Sequence, residues 1–152
     1  MTTIKELHEV MVTEAQLAEG LALVLEEQQD AIIKSRTGDL DILIEKSEDL
    51  IQPIATLESE RVRLAGLIIS ERERTSVKKG QAVTSRGLLS CLADEDAVLM
   101  EDVIRRLRTA SEEVLRINGL NMPLLEHSNR FVKQTLRAAT DDYKKNLIDK
   151  RM

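Results

Sequence analysis

Aromatic residues are almost absent from this 152-residue chain: Phe131 and Tyr143 stand alone, and there is no Trp. A β-sandwich or an α/β sheet normally draws on aromatic and β-branched packing, so this scarcity argues against both. Six Gly and two Pro leave little punctuation for the many turns a β fold needs. One cysteine, Cys91, rules out an intramolecular disulfide and fits a reducing compartment. The N-terminus, Met1-Thr2-Thr3-Ile4-Lys5-Glu6, lacks the basic start and apolar run of a secretory signal. No run approaches the roughly 18 uncharged apolar residues of a membrane span. The expectation is therefore a cytoplasmic protein with no membrane insertion. A net charge of −5 disfavours a nucleic-acid surface, which is usually basic.

What remains is a chain of 42% hydrophobic and 32% charged residues, in which apolar positions recur every three or four residues. That spacing places them on one face of an α-helix. A first helix is expected from Thr2 or Thr3, where a Thr hydroxyl can cap and Glu6 can bond back. Its stripe runs Ile4, Leu7, Met11, Ala18, Leu21, Leu25 and Ile32, widened by Val10, Leu17 and Val24. Glu14 and Gln28 interrupt the stripe, and partial exposure is expected at both. Ser35-Arg36-Thr37-Gly38-Asp39 reads as a stop and restart, with Gly38 closing one helix and Asp39 capping the next. The second stripe runs from Leu40 to Ile68, and Pro53 within it predicts a kink near 49–53. So short a connection makes the two helices an antiparallel hairpin.

The pattern lapses between Glu71 and Gly87. Leu88-Leu89-Ser90-Cys91-Leu92 then reads as a short apolar turn over one end of the bundle. Asp94, Glu95 and Asp96 suit the positive N-terminal end of a third long helix. Gly119 and Pro123 predict a bend or break in it between Asn118 and Pro123. The fold expected is all-α: long antiparallel helices in an elongated, coiled-coil-like bundle, followed by a long, bent C-terminal helix. It is read as one domain, with a hairpin over 1–74, a loop and short helix over 75–93, and the C-terminal helix over 94–152, broken near 118–123.

No constellation of catalytic residues emerges. His8 and His127 are the only histidines, and neither sits in a His-Glu-x-x-His pattern or the Glu-x-x-His spacing of di-iron bundles. Cys91 lies in an apolar run without a neighbouring His. Lys78-Lys79-Gly80 lacks the frame of a phosphate-binding loop. The reading is a binding protein with no metal, no cofactor and no enzymatic activity. Two other readings stand beside it: a structural, homo-oligomerising coiled coil, and a metal- or ligand-binding four-helix bundle.

Two local patterns are more particular. One is Glu45-Lys46-Ser47, Leu50, Ile54, Leu57-Glu58 and Arg61. The other is Leu115-Arg116, Asn118, Asn121 and Leu124-Leu125-Glu126. Together they resemble the FlgN family of flagellar type III export chaperones, in helix order and length from about Leu7 to Leu136. The chain departs from the family pattern at Pro123, inside the Asn-to-Leu spacing, and near Tyr143, where some members carry Tyr-Gly.

The resemblance implies a chaperone that binds the C-terminal helical segments of hook-associated proteins at the hook–filament junction, keeps them from associating early and delivers them to the membrane export gate. The cargo site it suggests is Asn118, Asn121, Met122, Leu124, Leu125, Ser128, Phe131, Val132 and Leu136. Tyr143 is the candidate for docking on the export gate. From the residues alone, Leu124, Leu125, Val132 and Leu136 read more readily as bundle core, and the two Asn as caps or polar breaks. An amphipathic groove that receives a helix is read at i, i+3, i+4 and i+7, and the last helix has that spacing. The protein is expected to be a monomer or a weak homo-oligomer.

Overall fold

A computed structural model describes the backbone of residues 2–73 and 85–151, and the side chains of residues 3–72 and 85–127. The basic stretch before Ser85 lies outside the described residues. Every element described is helical: α1 (Thr2–Ile33), α2 (Thr37–Glu73), α3 (Ser85–Ser90) and α4 (Asp94–Arg151). None is long and apolar enough to cross a membrane.

The α1–α2 turn closes differently from expectation. Ser35, not Gly38, takes the left-handed conformation, with φ of 54°. The Ser35 amide donates to the Ile32 carbonyl at 3.2 Å, and the Arg36 amide donates to the Ala31 carbonyl at 2.9 Å. These are the two closing bonds of a left-handed helix stop. Arg36 then accepts the first bond of α2, from the Leu40 amide at 3.0 Å. Gly38 is already inside α2, and Asp39 meets Arg36 at 3.2 Å instead of capping.

The helices α1 and α2 run antiparallel, as the pairs Gln28–Leu43 and Glu14–Arg61 show. Against α4, by contrast, α1 runs parallel: Glu19 pairs with Arg106 and Leu25 with Asn121. Thus α1 is the central helix. It packs against both α2 and α4, whose own Cα atoms stay more than 8 Å apart among the described residues. Its wide stripe explains this, because small residues (Ala15, Ala18 and Ala22) let two neighbours approach.

The larger core joins Ile4, Leu7 and Met11 of α1, Leu64 and Ile68 of α2, Leu88 of α3, and Met100, Val103 and Leu107 of α4. A smaller one near the turn holds Leu21, Ala22, Leu25 and Ile117, with Leu50, Ile54 and Val114 against it.

Glu14 and Gln28 correct the expectation of partial exposure. They are only 4% and 3% exposed. Each is tolerated because it finds a partner on α2. The Arg61 Nε donates to Glu14 Oε2 at 3.1 Å, and the Gln28 amide donates to the Leu43 carbonyl at 3.1 Å. The break expected at 118–123 is also absent, since α4 is helical from Asp94 to Arg151 with Pro123 inside. Proline removes one amide donor and orphans the carbonyl four residues back. Here both Pro123 and Gly119 are exposed, so water can satisfy that carbonyl. The exposed Pro53 is likewise carried inside α2.

Candidate functional site

The apolar stripe of α4 packs on α1 through Met100, Val103, Leu107, Ala110 and Ile117. On the outer flank Arg106 clasps Glu19 with both nitrogens, the Nη2–Oε2 bond being 2.9 Å. That hydrogen bonding holds the Glu19 carboxyl below its ordinary value. The pair is exposed and fixes alignment more than stability.

Asn121 does not lie on an open face. It is fully buried, and its Nδ2 donates to the Leu25 carbonyl at 2.8 Å. Its Oδ1 is buried without a partner. The residue therefore marks the register between α1 and α4 at a cost in desolvation. Replacing it with Leu removes the unsatisfied oxygen and keeps the volume. Asn121→Leu is expected to hold stability steady or raise it by about 1 kcal/mol. Urea denaturation checks this, and a loss of more than about 1 kcal/mol would show that the amide bond outweighs the orphaned oxygen.

The other suggested residues divide. Asn118 is exposed and Met122 is 49% exposed, while Leu124 and Leu125 are half-buried. The i, i+3 spacing of the two Asn does not give them a common environment. Asn121 sits at the centre of the packed stripe, and Asn118 lies roughly 60° away on its edge. The side chains of Ser128, Phe131, Val132, Leu136 and Tyr143 lie outside the described residues. The sequence reading missed two contributors. Leu115, 72% exposed, points away from the core despite belonging to an apolar pattern, and Ile51 on α2 is 53% exposed. Stripe counting had placed Ile51 with the core, because its neighbours Leu50 and Ile54 do pack there.

Lengths set the remaining geometry. At ~1.5 Å per residue, the 32 residues of α1 span about 48 Å and the 58 of α4 about 87 Å. Asn121 meets α1 at Leu25, only about two turns from the end of that helix at Ile33. The apolar spacing on α4 continues in sequence through Leu124, Leu125, Val132, Leu136 and Ala139. Among the described residues no three His, Cys, Asp or Glu side chains group as a metal site would require.

No curated protein and no solved structure matches the chain. A family model described as FlgN protein matches residues 1–147, nearly the whole length, so the chain belongs to the FlgN family of flagellar type III export chaperones.

Proposed function

We propose that this chaperone works in the cytoplasm on the C-terminal helical segments of hook-associated proteins, binds them along the second half of α4, and passes them to the export gate. The observation that carries this reading is the mismatch between α4 and its scaffold. The helix α1 ends at Ile33, close to its contact with Asn121, whereas α4 remains helical to Arg151. Its 3-4 apolar spacing goes on beyond the residues that α1 is long enough to cover. A disordered amphipathic segment exposes a matching stripe and would aggregate unaccompanied. Laid along α4, it exchanges water for apolar contact in the helix-to-helix manner. Ordering the segment offsets part of that gain, which keeps the affinity moderate and the cargo releasable. Tyr143 is the contact we assign to the export gate.

The test is calorimetric titration of the full chain with C-terminal peptides of hook-associated proteins, comparing wild type with Phe131→Ala/Leu136→Ala. The double variant should bind at least about tenfold more weakly, with its helix content and melting temperature unchanged. Wild-type affinity in a folded variant places the cargo elsewhere. A marked drop in melting temperature identifies these residues as core instead.

A further inference from the structure

The helix α3 occupies a slot that the other described residues leave open. A narrow gap at its seat is lined by Leu7 and Met11 of α1, Arg61 and Ala65 of α2, Ser85 and Leu88 of α3, and Ile104 of α4. So α3 lies between α2 and α4 and over α1, in the position of a fourth helix in a bundle. It is six residues long and fills only the end of the slot remote from the α1–α2 turn.

Towards that turn the same flanks continue without a cover among the described residues. On α4, Leu115 and Met122 lie 11 and 18 residues beyond Ile104, which returns them to its face within roughly 20°. On α2, Ile54 and Ile51 repeat the face of Ala65 within roughly 40°. These positions share one level of the bundle, because Leu50, Ile54, Val114 and Ile117 meet in the smaller core. The floor is thus apolar and half-buried, and the rims include Ile51, Leu115 and Met122, exposed by 53%, 72% and 49%. Outside them stand exposed acids: Glu48 and Glu58 on α2 and Glu112 on α4. Arg61 on this flank is balanced by Glu14 and Glu58, which it meets at 3.1 and 3.8 Å. Arg86, Arg105 and Arg108 stand beside the α3 seat, away from the turn, so Glu48 and Glu112 are the acids left to face an entering helix.

A helix that fits must carry an apolar stripe with basic borders, and one is present in the chain itself. Residues 129–151 hold seven Lys or Arg against three Asp, with Phe131, Val132, Leu136, Ala139, Tyr143 and Leu147 at helical spacing. This stretch is the far end of α4 and cannot reach its own slot while α4 stays continuous.

We propose that a second copy of the chain fills the slot: in a two-fold dimer the end of each α4 enters the other's α2–α4 groove from the turn side, antiparallel to the α4 already there. Such an interface is isologous and closes on itself. The lengths agree, since the stretch spans about 35 Å and the slot from Met122 to Ile104 about 27 Å. In this arrangement the stripe assigned to cargo is covered until cargo displaces the partner copy.

Sedimentation equilibrium of the full chain without cargo, over about a hundredfold concentration range, should show a reversible monomer–dimer equilibrium. Leu115→Glu/Met122→Glu should weaken the dimer at least about tenfold, and because both positions are exposed the circular dichroism should be unchanged. Two charge reversals separate this pairing from any other. Glu48→Lys/Glu112→Lys alters the slot, and Lys133→Glu/Arg137→Glu alters the entering helix. Each alone should weaken the dimer about tenfold or more, and their equimolar mixture should recover a heterodimer. A monomer at every concentration overturns the proposal, as does a dimer indifferent to both reversals or a mixture that recovers nothing. A monomeric wild type whose Leu115→Glu/Met122→Glu variant loses peptide binding overturns it in favour of cargo as the occupant. Dimer formation is read without cargo, so its failure is distinct from failure of the cargo assignment.

Discussion

Arg61→Met is expected to lower the unfolding free energy by about 3 kcal/mol, because it strands the Glu14 carboxylate inside the α1–α2 interface. Glu14 is the buried partner, with its side chain 6% exposed, while Arg61 is 29% exposed and still meets solvent at its outer edge. That access keeps the expected loss at the lower end of the range for broken buried pairs. The double variant Glu14→Met/Arg61→Met should recover most of it, since two well-packed apolar side chains often equal or exceed a buried ion pair. Urea denaturation of the three proteins provides the comparison. A double variant as unstable as the single one would show that the site cannot repack.

The same pair makes a pH prediction with a definite sign. Burial is the largest influence on Glu14 and pushes its carboxyl up from the ordinary 4.5, more than Arg61 pulls it down. A carboxyl whose folded value is raised favours the fold when protonated. Its contribution is complete below the unfolded value, near 4.5, and is lost as pH rises through the folded value. Relative to Glu14→Gln, wild-type stability should therefore decline as pH climbs from about 4.5, and Arg61→Met should decline more steeply. The surface acids Glu19, Glu60 and Glu113 are held low by their Arg partners and favour stability in the opposite direction. They are present in all three proteins and cancel in the comparison. Parallel pH profiles for wild type and Glu14→Gln would mean that burial and the pair with Arg61 cancel, and a wild-type advantage that grows with pH would mean that the pair outweighs burial.

Leu7→Ala is expected to cost about 3–4 kcal/mol, and Ile117→Ala about 2–3 kcal/mol. Both side chains are almost inaccessible, at 0% and 1% exposed. The difference comes from their surroundings. Leu7 sits where α1, α2, α3 and α4 all contribute to the larger core, so a cavity there is walled by four elements and has little room to collapse. Ile117 belongs to the smaller core beside the open slot, where Leu50 and Val114 are only half-buried and can relax inward. Chemical denaturation with a shared slope would give both values. An Ile117→Ala loss as large as that of Leu7→Ala would indicate that the turn end is covered in solution, as the dimer would cover it.

Particular residues show how far the sequence was legible. Stripe spacing identified the buried positions Leu7, Met11, Leu21, Leu25, Leu64, Leu107 and Ile117, because helical period and burial are directly coupled. Period is blind to polar residues that acquire a partner from another helix. Glu14, Gln28 and Asn121 each lie on a stripe yet are buried, and their partners are 47, 15 and 96 residues away in sequence. Local rules also overstate breakers. Gly119 and Pro123 read as an end, but an exposed helix surface lets water replace the lost bond, and neighbouring residues such as Ile117 and Asn121 are held by packing. At the α1–α2 turn the left-handed position fell on Ser35, one of the residues between the helices, and not on the available Gly38.

The amino-acid sequence alone determined that this protein is all-helical, that its first two helices fold back on each other, and that it resembles the family to which it belongs. These follow from local properties: period, composition, and a connection of three residues too short for anything but a hairpin. The tertiary structure decided that α1 is the central helix, that α4 lies parallel to it, and that α2 and α4 leave a slot which α3 only partly fills. An apolar stripe announces that a face will be buried without naming what buries it. That choice depends on the phase, length and polar partners of several helices at once, and it exists only when they are packed together.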